Sequence, residues 1–452
     1  MEQDSARDAV RDFYNLHPYP PPVDDLDEYR QRWQDEDKRR ADFHLHWPDK
    51  AYQADLTVLV AGCGTAQAAK HALRQPACHV VGIDISETSV LHTETLKRKY
   101  HLTNLEVYQL PVERAGELGR SFDEIVCTGV LHHLADPDAG LRALRDVLKP
   151  DGAMHLMVYA AYGRAGVYML QDYCRRLGIG NTEKEIRDLA NTLRALPQDH
   201  PLARLLGESA DFRSQAGLAD ALLHPRDRAY AVPELFDFLA RAGLVFGRWV
   251  RQAPYLPQCG ALAATPHASR LAMLPLPEQY AAVELWRGNM LRHSLIAYRT
   301  GRPGDSHLPR FDGDDWLGYV PLRLPDAILG WLPTRHGALL VSLPVHPNNQ
   351  LFDPQPRLFV LQSPVSMRTT RKLLAMLDDP RFTEVDANLR HFEEIYQQIL
   401  ARRDQPDGAF AQLRGDRYRR VRRRYFSVIQ DGLREVEQMQ AGLSSPPAAG
   451  SR

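Results

Sequence analysis

From Asp55 to about Ala160 short apolar runs alternate with amphipathic stretches. Thr57–Ala61 is apolar and ends in Gly62-Cys63-Gly64, and a helical pattern follows from Ala66 to about Leu73. Val80–Ile83 ends in Asp84 and precedes a helix from Glu87 to about Tyr100. Leu105–Tyr108, Phe122–Cys127 and Ala153–Tyr159 complete five predicted strands, with a helix over Leu141–Leu148 and a turn at Lys149-Pro150-Asp151-Gly152 before the last. Strands and helices at this spacing predict an α/β fold, a parallel sheet covered on both faces.

The flanks read differently. Residues 1–50 are polar and helix-prone but broken by His17-Pro18-Tyr19-Pro20-Pro21-Pro22, which favours extended backbone. Residues 163–250 are mostly helical by pattern, with helices over Thr182–Leu196 and Pro233–Ala242. The stretch 251–275, rich in proline and small residues, reads as a linker. A third region, 276–440, opens with a helix over Gln279–Arg292. It adds candidate strands at Ala338–Leu343 and Leu358–Leu361, then helices at Thr369–Leu377 and Val385–Ala401. Residues 441–452 have the composition of a disordered tail. The expected division is therefore a lid segment (1–50), a catalytic α/β domain with a helical extension (51–250), a linker (251–275), a mixed α+β region (276–440) and the tail.

Composition narrows the function classes. The 452 residues are 44% hydrophobic and 25% charged with a formal net charge of −1, so no global field draws the chain to nucleic acid or an anionic membrane. The five cysteines form no CxxC pair, which fits free thiols in a reducing compartment and gives no zinc signature. No stretch has the apolar length of a membrane helix, and the expected location is cytoplasmic.

A glycine turn directly after a strand lets backbone approach a ligand at the start of the next helix. An acid at the end of the second strand can grip the two hydroxyls of a ribose in the same crevice. Gly62, Gly64 and Asp84, the last 20 residues after Gly64, have that arrangement. It also suits a nicotinamide enzyme, and downstream blocks discriminate. Ser121–Pro137, with Leu131-His132-His133, resembles the fourth-strand block of class I S-adenosylmethionine-dependent methyltransferases. Leu141–Ala153, with Leu148-Lys149-Pro150-Asp151-Gly152, resembles the block before their fifth strand, and Val58–Gly64 their first motif.

The resemblance covers about 55–160 and implies a Rossmann-like sandwich, S-adenosylmethionine as cofactor and methyl transfer as activity. It implies that Gly62 and Gly64 face the methionine portion, Asp84 the ribose and Ile85 the adenine. Thr128, Gly129 and Val130 would lie beneath the sulfonium. Val60 stands where the family carries an acid and Ala66 where it carries glycine, and 109–113 shows no clear adenine-amine partner. The stretches His224–Leu235 and Leu285–Leu295 distantly resemble the regulatory part of bacterial protein-lysine methyltransferases, without residue roles.

Other features leave two readings open. His132 and His133 invite a general-base reading, with His132 as the catalytic candidate, since histidine titrates near neutrality, or else Leu-His-His lines the cofactor pocket. Tyr14 and Tyr19 touch cofactor or substrate, or pack on the surface. Arg226, Arg228 and Tyr230 contact substrate, or belong to an ion-paired loop bracing the next helix. Arg414–Arg424 holds seven arginines, but Tyr418, Val421, Tyr425 and Val428 share one helical face, which favours an amphipathic helix over an RNA site. The expected acceptor is a small molecule or a protein. The rival reading is a non-enzymatic cofactor-binding or partner-interaction protein on the same fold.

Overall fold

The computed structural model describes residues 2–302, apart from 35, 48–49, 252, 258–261 and 263–264, and the backbone of 327–334 and 337–344. Three N-terminal helices come first: α1 (Glu2–Leu16), α2 (Asp27–Arg32) and α3 (Glu36–His46). The alternating part follows as β1 (Thr57–Ala61), α4 (Gln67–Arg74), β2 (His79–Asp84), α5 (Glu87–Lys99), β3 (Leu105–Gln109), β4 (Phe122–Thr128), α6 (Pro137–Val147) and β5 (Leu148–Ala160). Then come α7 (Ala165–Arg176), α8 (Glu183–Leu193), α9 (Ala203–Glu208), α10 (Gln215–Leu223), β6 (Ala229–Tyr230), α11 (Val232–Arg241) and β7 (Leu244–Trp249). The last elements are α12 (Ala268–Ala272), α13 (Leu276–Arg287), β8 (Arg292–Arg299), β9 (Ala327–Thr334) and β10 (Gly337–Pro344).

One sheet runs β3-β2-β1-β4-β5-β8-β7, with β6 paired to the end of β5. Strands β1 to β5 are parallel, while β8 is antiparallel to both β5 and β7. This is the expected α/β sandwich with the strand order reversing beside β1, where such sheets open a crevice at the carboxyl ends of their strands. Val58, Val80, Val126, Ala153 and Ile296 of the strands and Ala68, Ala69 and Ala72 of α4 pack in one buried cluster. Local chemistry sets the helix starts. Ser86 caps α5 through Ser89 N–H, Asp136 caps α6 ahead of Pro137, and Thr182 with Glu185 closes a capping box on α8.

A second cluster joins Phe13 of α1 to Val167, Leu170, Ile186, Leu189, Leu218 and Leu222 of α7, α8 and α10. The N-terminal helix is thus anchored on the helical extension rather than loose on the surface.

The pattern-based reading misses strands β6, β7 and β8. The 163–250 stretch contains strands β6 and β7, and the helix expected over 279–292 ends at Arg287, followed by strand β8. The chain separates into a unit of 1–251 with 280–308 and a unit of 252–279 with 309–452. The expected domain start at 276 is therefore corrected: residues 280–308 belong with the sheet, because β8 fills the place between β5 and β7. In the other unit, β9 and β10 form an antiparallel hairpin, and the strand expected at Ala338–Leu343 lies within β10. The elements expected beyond 344, the arginine run and the tail fall outside the described residues.

Five histidines of the first unit, four buried and His155 partly so, have pKa values lowered by desolvation: His46, His71, His132, His155 and His224, the last three well below the ordinary 6.5. His46 lies 3.5 Å from Glu124, which opposes the shift without reversing it. The fold holds these rings neutral, and the unfolded chain binds their protons below about pH 6.5. Their contribution to stability is complete above that pH and lost as the pH falls, by about 1.4 kcal/mol per pH unit for each ring. The urea midpoint is expected to drop steeply between pH 7 and 5. A midpoint constant across that range would show that these rings take protons inside the fold.

Candidate active site at the carboxyl edge of the sheet

The turn after β1 is fastened to the end of β2. Gly62 and Cys63 donate their N–H groups to the Ile83 carbonyl at 2.8 and 3.0 Å. Gly62 and Gly64 have φ of +67° and +52°, a region that favours glycine. Asp84 joins the two strand ends: Oδ2 accepts Gly64 N–H at 2.7 Å and Oδ1 accepts Ser86 N–H at 2.9 Å. Burial raises the Asp84 pKa against the pull of these N–H groups. Around this carboxylate, Ile85, Thr128, Gly129 and Val130 are each only half-buried at the strand ends. The sequence-selected residues at 62, 64, 84, 85 and 128–130 therefore meet at one edge.

A side chain at position 62 would not reach into open space. Its Cβ would stand 2.3 Å from Val130 Cγ2 in a left-handed backbone, so a valine there strains the turn before it meets any ligand. Gly62→Val is therefore expected to destabilise the fold as well as to lower donor binding, which thermal melts beside calorimetry would show. Val60, which replaces the family's acid, is buried in the core.

The N-terminal segment covers the same edge. Pro20 accepts from Thr65 Oγ1 at 3.0 Å, and a Cβ on Gly64 would sit 3.3 Å from the Tyr19 carbonyl. Asn15 accepts from Ser86 Oγ at 2.9 Å through its side chain and from Thr88 Oγ1 at 3.2 Å through its carbonyl. Tyr14 donates to Asp220 of α10 at 3.0 Å.

Beyond Val130 a short turn, Leu131–His133, lies against loop 224–228, and Arg228 N–H donates to the His132 carbonyl at 3.1 Å. His132 is fully buried, its ring 3.8 Å from that of Tyr159, and neither ring nitrogen has a hydrogen bond. With both ring nitrogens unpartnered, no hydrogen bond fixes the His132 tautomer. His133 instead groups with Asp220 and His224, whose donor atoms all lie within 4.8 Å of one another. Loop 224–228 is held by Asp227, which accepts from Arg164 at 3.1 Å and from Gln171 at 2.9 Å. The Arg164 guanidinium lies 3.5 Å over the Tyr159 ring.

The candidate substrate residues divide. Tyr14 lines the cluster, Tyr19 passes over the glycine turn, and Arg226 enters through its main chain. Tyr230 is buried and stacked on Phe238 of α11, while Arg228 is exposed with its guanidinium 4.7 Å over the Tyr230 ring. Sequence reasoning missed Asn15, Ser86, Asp220 and His224 as members of this edge. Asn15 and His224 lie beside the candidates Tyr14 and Arg226, whereas Ser86 and Asp220 carried no signal.

Residues 59–154 match a family described as a methyltransferase domain. The chain is 28% identical over 376 residues to an uncharacterized protein of Synechococcus, covering 78% of this chain and 82% of that one. It is 32% identical over 122 residues to the ubiquinone biosynthesis O-methyltransferase of Neisseria meningitidis serogroup C, covering 23% of this chain and half the length of that enzyme. Among solved structures, PKMT2 from Rickettsia typhi in complex with AdoHcy has a TM-score of 0.54 at 15% identity, covering 84% of this chain and 74% of that chain. Fold and sequence match coincide: the residues matched to a methyltransferase domain, 59–154, run from β1 into β5 of the sheet.

Proposed function

We propose that the domain transfers a methyl group from S-adenosylmethionine to a small molecule or a protein side chain. The observation that carries this reading is the Asp84 carboxylate, buried at the switch point of the sheet and touching the glycine turn. Each carboxylate oxygen uses one backbone N–H, which leaves lone pairs for ribose hydroxyls. The residues suit the cofactor in other respects. Positive-φ glycines let main chain lie close to the methionine portion, and half-buried Ile85 offers an apolar surface for adenine. Thr128, Gly129 and Val130 would support the sulfonium. The bound donor supplies an activated methyl carbon, so the protein's task is proximity and alignment.

Residues 1–22, which reach over this edge, would act as the lid. The region beyond 308 would recognise the acceptor or a partner, since the residues described at this edge lie within 14–228. Titration calorimetry with S-adenosylmethionine tests the first step, with a dissociation constant in the micromolar range expected. Radiolabelled methyl transfer into fractionated lysate then shows whether label enters protein or small molecules. Binding without transfer would favour the non-enzymatic alternative, and absence of binding would end the reading.

A further inference from the structure

The cluster beyond Val130 is arranged by a single residue's main chain. His133 Nδ1 lies 2.7 Å from the Arg226 carbonyl. A carbonyl only accepts, so Nδ1 carries the proton and Nε2 holds a bare lone pair. Arg226 N–H donates to His224 Nδ1 at 3.0 Å, so the neutral His224 ring carries its proton on Nε2. One residue thus sets two histidines, with ring centroids 4.0 Å apart, in opposite tautomers. His224 Nε2 is buried without a partner, and Asp220 stands beside both rings, held by the Tyr14 hydroxyl.

The three donor atoms are close enough to suggest a metal site. The tautomers argue otherwise, because His224 turns an N–H rather than a lone pair toward the group. What remains is one proton acceptor, His133 Nε2, with an N–H donor and a carboxylate next to it.

We propose that His133 is the general base of the methyl transfer, with Arg226 and His224 as positioning residues; the proposal rests on the function inferred above. The acceptor atom forms its bond to the methyl carbon, the carbon–sulfur bond breaks with its electron pair leaving on sulfur, and the acceptor's proton passes to His133 Nε2. Asp220, within 4.8 Å, then faces the imidazolium with opposite charge. The arrangement selects the acceptor's chemistry. A base serves a nucleophile that still carries its proton, a hydroxyl or an ammonium. A carboxylate needs none and would be repelled by Asp220.

The test uses the full chain and the lysate fraction that the wild-type protein labels. His133→Asn keeps an N–H toward the Arg226 carbonyl and removes the base. It is expected to bind S-adenosylmethionine within twofold of wild type and to transfer label about 10²–10⁴-fold more slowly. In His133→Ala, added imidazole is expected to restore part of the rate in a saturable way, which a purely structural histidine would not allow. Wild-type rates in His133→Asn, or no response of His133→Ala to imidazole, would overturn the assignment alone. No transfer by the wild-type chain would overturn the methyltransferase reading and this proposal with it.

Discussion

A chain ended after residue 275 is expected not to fold, whereas one ended after residue 308 is expected to fold and bind the methyl donor. The reason is strand β8. It pairs antiparallel with β5 from Met154 to Tyr159 on one side and with β7 on the other, so its loss strips hydrogen-bond partners from two strands at once. Leu295, Ile296, Ala297 and Tyr298 are fully buried. Burial of each large apolar side chain contributes about 1.5–3 kcal/mol, against a total stability of about 5–15 kcal/mol for a typical domain. Polar ties add to this. Tyr298 donates to the His46 carbonyl at 2.6 Å, Arg299 to the Leu148 carbonyl at 2.9 Å, and His293 meets Glu284 at 3.0 Å with both side chains buried. Circular dichroism and size-exclusion chromatography on the two truncations decide the matter. A soluble, cooperatively melting 1–275 chain would show that β8 is an accessory strand.

The same strand marks the limit of what the sequence reveals. β1 to β5 are legible because each is a short apolar run followed by turn chemistry and an amphipathic helix, a local pattern. β8 is Arg292-His293-Ser294-Leu295-Ile296-Ala297-Tyr298-Arg299, and its polar start continues the helical pattern of α13. Only its neighbours, strands more than 130 and 40 residues earlier, make His293 a buried residue paired with Glu284. The site divides in the same way. Gly62, Gly64 and Asp84 are legible because a strand–turn–helix places them locally. The difference between His132 and His133 is not, because it depends on a loop 93 residues away whose carbonyl takes one ring and leaves the other without a partner. Asp220 sits in Gln215–Leu223, a helix so apolar that a lone acid reads as a solvent-facing residue, yet it is buried against Tyr14.

The largest effect on donor binding is expected at Asp84. Two ribose hydroxyls donating to a charged acceptor contribute about 1.5–3 kcal/mol each, and 1.4 kcal/mol is a factor of ten, so Asp84→Ala should weaken S-adenosylmethionine binding well beyond tenfold. Alanine has a second consequence. It orphans the N–H groups of Gly64 and Ser86, which both lie on the carboxylate, and a buried unsatisfied donor costs about 1–3 kcal/mol. Affinity could then fall because the glycine turn shifts. Asp84→Asn narrows the question. Its single carbonyl oxygen satisfies one of the two N–H groups, and its amide opposes the other, so some destabilisation remains. Yet burial raises the Asp84 pKa despite both bonds, which means the ionised form is itself held at a cost in the fold. Removing that charge offsets part of the lost bond, and the melting temperature should fall less for asparagine than for alanine. Donor affinity should drop by more than tenfold in both. Calorimetry and thermal melts on the two variants separate turn from ligand. An Asp84→Asn protein that binds the donor within twofold of wild type would show that this carboxylate serves only the turn.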